Sequence, residues 1–435
     1  MSAGARVRSA ALLAVAAVVL AACGDDGGGG GGGDQPGGGT ALEGRGPITF
    51  ASGKDTSGNM QKLADEWNSE HPDEKVTITE LPESADDQRN RMIQNAQVKS
   101  DEFSVLNLDV IWTAEFAANR WIVELPQDEF DLDQFLEPAV ETGKYRDKLY
   151  AVPVYSDGGL MYYRKDLLDK AGVQPPETWD ELTAACTAVK KLPEAKNTGC
   201  YAGQLDKYEG LTVNFSEAVA SSGGTVVGED GKPDVNTQEA KDGLNFLVEA
   251  RKSNLIPQAA ITYKEEEGRR AFQDGGLIFH RQWPYQWALA NATDGSSKVA
   301  GKFDVAPLPG KDGPGVSSLG GHNFAISAFT PNKATALDFI KFFSSEEAQR
   351  SNLLATSQAP TRSALYEEQE LVDKFPYLPT LLSSIENAAP RPRVVRYGDV
   401  TAAIQEAAYG AITGETTTDE ALEQLQTKLE ELTAE

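Results

Sequence analysis

Three short stretches of this chain place aromatic rings beside polar and charged side chains. His280-Arg281-Gln282-Trp283-Pro284-Tyr285-Gln286-Trp287 carries aromatics at alternate positions just past an expected strand. Lys207-Tyr208-Glu209-Gly210-Leu211-Thr212 sets an aromatic beside a carboxylate, with a glycine to turn the chain. Ser318-Leu319-Gly320-Gly321-His322-Asn323 reads as a tight glycine turn entering a strand. Flat aromatic faces suit the C–H faces of a sugar ring. Carboxylates, amides and guanidinium groups suit its hydroxyls, and ionised partners make the stronger hydrogen bonds. These residue types point to recognition of a polyhydroxylated small molecule. Trp67 and Trp179, by contrast, are expected in the core.

Bond-breaking chemistry has no comparable support. The histidines are His71, His280 and His322, no two of them at zinc-ligand spacing. The chain contains no HExxH, Walker loop or GxSxG. The glycine run starting at Gly27 follows no strand and opens no helix, so it is linker and not a phosphate cradle. With 66 acidic residues, no single pair stands out as glycosidase carboxylates. No cofactor and no metal are expected. The alternative reading is a secreted glycoside hydrolase using two cleft carboxylates, and a third is a surface adhesion or signalling protein.

The elements that must position these residues follow from periodicity. Ile48 to Ala51 reads as a strand. Met60, Leu63, Ala64 and Trp67 fall on one helix face, which Pro72 ends. Val76 to Leu81 alternates like a strand, a helix is expected near Gln88 to Val98, and a strand at Leu108 to Trp112. Further strands are expected at Tyr150 to Val154, Gly159 to Arg164, Gly276 to Phe279 and Asn323 to Phe329. Thr178, with Glu181 three residues on, is a capping box opening a helix. Lys241 to Lys252 is amphipathic, and helical patterns dominate from Asn332 through Glu420 to Leu432. The alternation argues for an α/β fold on a mostly parallel sheet.

The chain has 435 residues, 40% of them hydrophobic, and a formal net charge of −26. Such an acidic chain is a poor nucleic-acid binder, because phosphate contacts need clustered Lys and Arg. Its first residues define a compartment. Arg6 and Arg8 precede an apolar stretch that is shorter than the ~20 residues needed to span a bilayer. Leu20-Ala21-Ala22-Cys23 then closes it like a bacterial lipobox, so residues 1–22 are expected to be a cleaved signal peptide and Cys23 the lipidated residue. An ordinary secretory signal is the alternative. Residues 23–40 form a glycine-rich tether with a span on the order of 20–25 Å. In an exported chain Cys186 and Cys200 are expected to pair as a disulfide, worth roughly 3 kcal/mol for a loop of that length.

The ordered motifs give a resemblance. Leu108-Asp109-Val110-Ile111-Trp112-Thr113-Ala114-Glu115-Phe116 is followed by Tyr150-Ala151-Val152-Pro153 and Gly159-Leu160-Met161-Tyr162-Tyr163-Arg164. Thr178-Trp179-Asp180-Glu181-Leu182, Tyr208-Glu209-Gly210-Leu211, Trp283-Pro284-Tyr285, Gly320-Gly321 and Arg391-Pro392 come next. In this order they resemble the extracellular solute-binding proteins of carbohydrate ABC transporters. The Tyr-Glu-Gly-Leu and Trp-Pro-Tyr pieces are most similar to the branch that binds trehalose, maltose and related α-glucosides.

That resemblance implies a two-lobed periplasmic-binding-protein fold with the ligand between α/β lobes. The first lobe would hold 41–154 and 282–328, the second 155–281 and 329–435. Asp109 and Asp157 would accept hydrogen bonds from sugar hydroxyls, and Tyr208 and Glu209 would contribute from the second lobe. Trp283 would stack on a ring with Tyr285 beside it, Gly320 and Gly321 would let backbone N–H groups approach, and Arg391 would clamp hydroxyls. The extra arginines of Arg391-Pro392-Arg393 leave Arg393 as a substitute for Arg391, and His322 has no evident family equivalent. The implied protein is a monomer without catalytic activity, held outside the cell membrane by Cys23. Its partners would be a small sugar and the permease subunits, with no nucleic acid.

Overall fold

The computed structural model describes residues 42–55, 57–228 and 231–433. The leader, Cys23 and the tether lie outside the described residues.

The strands are β1 (Ile48–Ser52), β2 (Val76–Glu80), β3 (Val105–Asp109), β4 (Lys144–Tyr145), β5 (Lys148–Leu149), β6 (Ala151–Gly158), β7 (Leu160–Tyr163), β8 (Gly199–Ala202), β9 (Leu277–Gln282), β10 (Asp304–Ala306) and β11 (Leu319–Ile326). They form a five-stranded sheet ordered β2-β1-β3-β11-β6, a four-stranded sheet ordered β10-β7-β9-β8 and the small β4–β5 hairpin. Each main sheet is the spine of one lobe. One core cluster on the first sheet gathers Phe50, Phe324, Phe339 and Phe343. A second holds Met92, Phe103, Trp112 and Phe116. The large core of the second lobe gathers residues from Leu160 to Leu432, joined by Leu136 and Ala139.

The first sheet is not mostly parallel. β1 pairs in parallel with β2 and β3, but β11 runs antiparallel to both β3 and β6. In the second sheet only β8 and β9 are parallel. The reason is the path of the chain. β1, β3 and β6 end at the gap between the lobes, and β6 passes straight into β7 of the other sheet. β11 arrives from the second lobe, so it starts at the gap and runs away from it.

The same path corrects the expected lobe boundaries. β6 stays in the first sheet as far as Gly158, beyond 154. β10, inside the 282–328 segment expected in the first lobe, pairs with β7 of the second. The Lys333–Phe343 helix, expected in the second lobe, buries Ala336, Phe339 and Phe343 in the first-lobe core. Each apolar face goes to the nearer sheet, and sequence order does not reveal which sheet that is.

Local expectations fare better. The helix opening after Thr178 spans Trp179–Val189. Thr178 accepts from the Glu181 amide and the Glu181 carboxylate accepts in return from the Thr178 amide, a complete capping box. Cys186 and Cys200 form a disulfide with Cα atoms 5.8 Å apart, tying this helix to β8. Trp67 is buried. Trp179 is half-buried and stacks on Phe246 at 4.4 Å. The strand expected at Leu108–Trp112 is β3, which ends at Asp109, and Trp112 instead caps the Thr113–Ala118 helix.

Candidate ligand-binding cleft

The gap between the lobes encloses a cavity of about 510 Å³, within the ~300–1,000 Å³ usual for small-molecule sites. It lies at the carboxyl ends of β1, β3 and β6, where α/β sheets commonly place ligands. Asp109 and Asp157 reach it as the last side chains of their strands. Glu209, Trp283, Tyr285, Gly320, Gly321 and Arg391 line it as well.

Two of the three marked stretches are not loops. Leu319 to Ile326 is β11, so Gly320 and Gly321 lie within a strand and not in a turn before one. Gly321 has φ +115°, beside a register shift between His322 and Asn323 in the β11–β6 pairing. A Cβ there would sit 2.3 Å from the Tyr155 carbonyl oxygen. A Cβ on Gly320 would sit 2.8 Å from Cζ3 of Trp283. Both glycines therefore make room for protein atoms at the cavity wall. Tyr208 precedes the Glu209–Ala220 helix and is 3% exposed. It does not line the cavity. Its ring lies beneath Lys264, whose ammonium is 5.4 Å from the centroid, so it supports a lining residue.

Trp283 follows β9 directly. Arg281 of β9 is fully buried and sets its guanidinium 3.8 Å from the Trp283 ring centroid. Glu217 holds Arg281 through two contacts of 2.8 and 2.5 Å. Such a desolvated pair costs stability if either partner is lost. Here it fixes the tryptophan from behind. Tyr285 donates to Glu266 at 3.0 Å, which orients it. Trp287 turns away and packs on Phe303 and Tyr377.

The carboxylates divide by partner. Arg391, its side chain 2% exposed, donates to Asp109 of the first lobe at 2.7 Å and to Glu209 of the second at 2.5 Å. The Tyr397 hydroxyl also donates to Glu209, and the Thr401 hydroxyl does so at 2.7 Å. The Glu209 amide donates to Asp86 of the first lobe at 3.2 Å. Burial pushes Glu209 up to about 7 against the pull of Arg391. Asp157 is different, because among the described residues no donor reaches its carboxylate. Burial raises it to about 7, with Arg281 opposing and the charge of Asp109 adding to the shift. Arg391, and not Arg393, faces the cavity.

Sequence reasoning missed Trp112 as a lining residue, together with Asn107, Glu265 and Gln88. Trp112 is 1% exposed overall. The signal was present: it stands just after an aspartate at a strand end, the place where a side chain meets a cleft. His322 does line the cavity, stacked on Tyr155 at 4.9 Å, and burial lowers its pKa.

Two α/β lobes with a polar, aromatic-lined cavity between them define a cleft-type binding protein. The sequence profile of the bacterial extracellular solute-binding proteins matches residues 51–350, and the chain belongs to this family. A probable ABC transporter-binding protein of Deinococcus radiodurans is 30% identical over 88% of this chain and 92% of its own length. A mannitol-binding protein of Pseudomonas aeruginosa is 27% identical over 76% and 77%. Among solved structures, maltose-bound MalE3 of T. maritima superposes with a TM-score of 0.84 at 34% identity, covering 89% of this chain and 99% of that one. The GacH receptor of Streptomyces glaucescens, solved unliganded and with acarbose, gives 0.79 at 25% identity, with 90% and 99% covered. The protein is thus the substrate-binding subunit of a sugar ABC importer, acting outside the cytoplasm and partnering an ABC permease. It binds its solute without transforming it.

Proposed function

We propose that the ligand is a di- or oligosaccharide of the maltose or trehalose type, an α-glucoside held by closure of the lobes. The observation that carries this reading is Trp283, braced by Arg281 at 3.8 Å, in the same cavity as the acceptor Asp157, which no donor reaches among the described residues. A braced aromatic face is worth most to a ligand with ring C–H faces, and a free carboxylate to one with hydroxyls to donate. In this reading Asp109, Asp157 and Glu209 act as acceptors, Trp283 and Tyr285 as aromatic contacts, and Arg391 as the clamp. Gly320 and Gly321 shape the wall. Similarity to a maltose-bound structure supports it.

The mannitol-binding relative favours a second reading, an acyclic sugar alcohol. Such a ligand has no ring to stack. Calorimetry of the chain beginning at Ala41 against maltose, trehalose and mannitol separates the two. Heat with an α-glucoside is expected. Binding of mannitol alone overturns the first reading.

The anchor belongs to the same proposal. Cys23 carries the lipid, and the mature protein works as a tethered monomer. Mass spectrometry of the membrane-bound form should find a diacylglyceryl group that Cys23→Ser abolishes. A soluble, unmodified mature protein overturns the anchor, and a dimer in light scattering overturns the monomer.

A further inference from the structure

Arg393 lines a second depression of about 280 Å³, separate from the sugar cavity. Its walls are the turn at 110–114, the end of the Glu137–Thr142 helix, the β4–β5 hairpin and the 393–395 stretch. Its cations are Lys144, Arg146 and Arg393, and its carboxylates are Glu141 and Asp147. Lys144 engages Glu141 at 2.7 Å. Among the described residues, neither guanidinium has a carboxylate partner. Arg146 lies over the Tyr145 ring at 5.2 Å, and Arg393 donates to the backbone oxygen of Glu141 at 3.0 Å. Val395, at the same edge, is 41% exposed, and only Val98 among the described large aliphatic side chains is as open to solvent. In a chain of 66 acidic and 40 basic residues, this concave spot inverts the prevailing charge.

The groove is also joined to the cleft. Its other walls come from the first lobe, while Arg393 and Val395 belong to the strap in which Arg391 bridges Asp109 and Glu209. Two residues beyond that bridge, Arg393 is tied down on the first lobe.

We propose that this groove receives an acidic extracytoplasmic segment of the permease. The inference rests on the importer role and not on which sugar is carried. Unpaired guanidiniums take carboxylates in bidentate geometry, and Val395 offers an apolar contact beside them. Complementary charge sets encounter rate and register more than affinity, so the interaction weakens as salt rises. Anionic lipid headgroups present a similar charge, but a chain of net charge −26 is repelled by them.

The test uses the full chain with its permease in proteoliposomes and maltose as the sugar. Arg146→Glu and Arg393→Glu are each expected to keep the maltose dissociation constant within about twofold and to lower stimulated ATP hydrolysis about tenfold or more. Arg146→Lys keeps the charge but loses the bidentate fork, so it retains more of the stimulation than Arg146→Glu and less than the parent. Arg146 stands on the hairpin away from the strap, so its variant remains informative if Arg393→Glu folds poorly. Stimulation unchanged in Arg146→Glu overturns the proposal. So does equal loss of sugar binding, or binding of the parent chain to phosphatidylglycerol vesicles without permease that the same variants abolish. If the parent binds mannitol and not maltose, the sugar reading falls, and the same comparison with mannitol decides the groove.

Discussion

Trp283 is held by neighbours that can each be changed alone. Gly320→Ala would place a Cβ 2.8 Å from its Cζ3 and tilt the ring. We expect sugar affinity to fall about tenfold, roughly 1.4 kcal/mol, with the melting temperature almost unchanged. Equal affinities in calorimetry would remove Trp283 as the platform. Asp157 gives a pH signature. Its folded value of about 7 stands above an ordinary 3.8. The folded state therefore keeps the proton that the unfolded state has lost, and stability is greatest below the lower value. Stability drains away as pH rises from about 4 to 7 and levels off above. Asp157→Asn removes this drain. Urea titrations should show the variant gaining on the parent across that window, and a constant difference would contradict the assignment. At this scale the sequence was informative: Asp109, Asp157 and Trp283 stand out as residue types beside strand ends. Tyr208 did not hold, because the same motif opens a helix and its ring turns inward.

At the scale of elements, the strongest sequence signals were local hydrogen-bonding patterns. Thr178 and Glu181 cap the helix that follows, and Thr178→Ala should cost about 1 kcal/mol. The Cys186–Cys200 bridge staples that helix to β8. Cys186→Ser with Cys200→Ser should cost roughly 3 kcal/mol on chain-entropy grounds. Denaturant unfolding with and without reductant checks both, since the parent and Thr178→Ala should respond to reductant and the double serine variant should not. The start of β11 was misread for a physical reason. Leu319-Gly320-Gly321 has turn composition, and glycine in a strand is explained only by what crosses it. Here that is the Trp283 ring on one side and the β6 backbone on the other. Such neighbours are remote in sequence and leave no periodic trace.

For the whole molecule, the decisive contact is the strap. Arg391 carries the one guanidinium that bonds a first-lobe and a second-lobe carboxylate among the described residues lining the cavity. Arg391→Ala removes it and leaves Glu209 with Tyr397 and Thr401 as partners. A ligand shifts an opening equilibrium only as far as it prefers the closed form. The variant should therefore show a larger radius of gyration without sugar in X-ray scattering, and at least about tenfold weaker sugar binding. An unchanged radius with unchanged affinity would exclude a clamping role.

The amino-acid sequence by itself determined that this chain is α/β, where most helices and strands lie, that Cys186 and Cys200 are a pair suited to a disulfide, and that Asp109, Asp157 and Trp283 have the residue types of a polar, aromatic cleft. Those properties depend on periodicity, capping and residue chemistry, which act over a few positions. Only the tertiary structure decided which lobe owns β10 and the Lys333–Phe343 helix, that Trp112 reaches the cavity while Tyr208 does not, and that Arg391 rather than Arg393 spans the cleft. These are settled by side chains that meet across hundreds of residues, as Arg391 and Asp109 do, and by the shape of the space left between them.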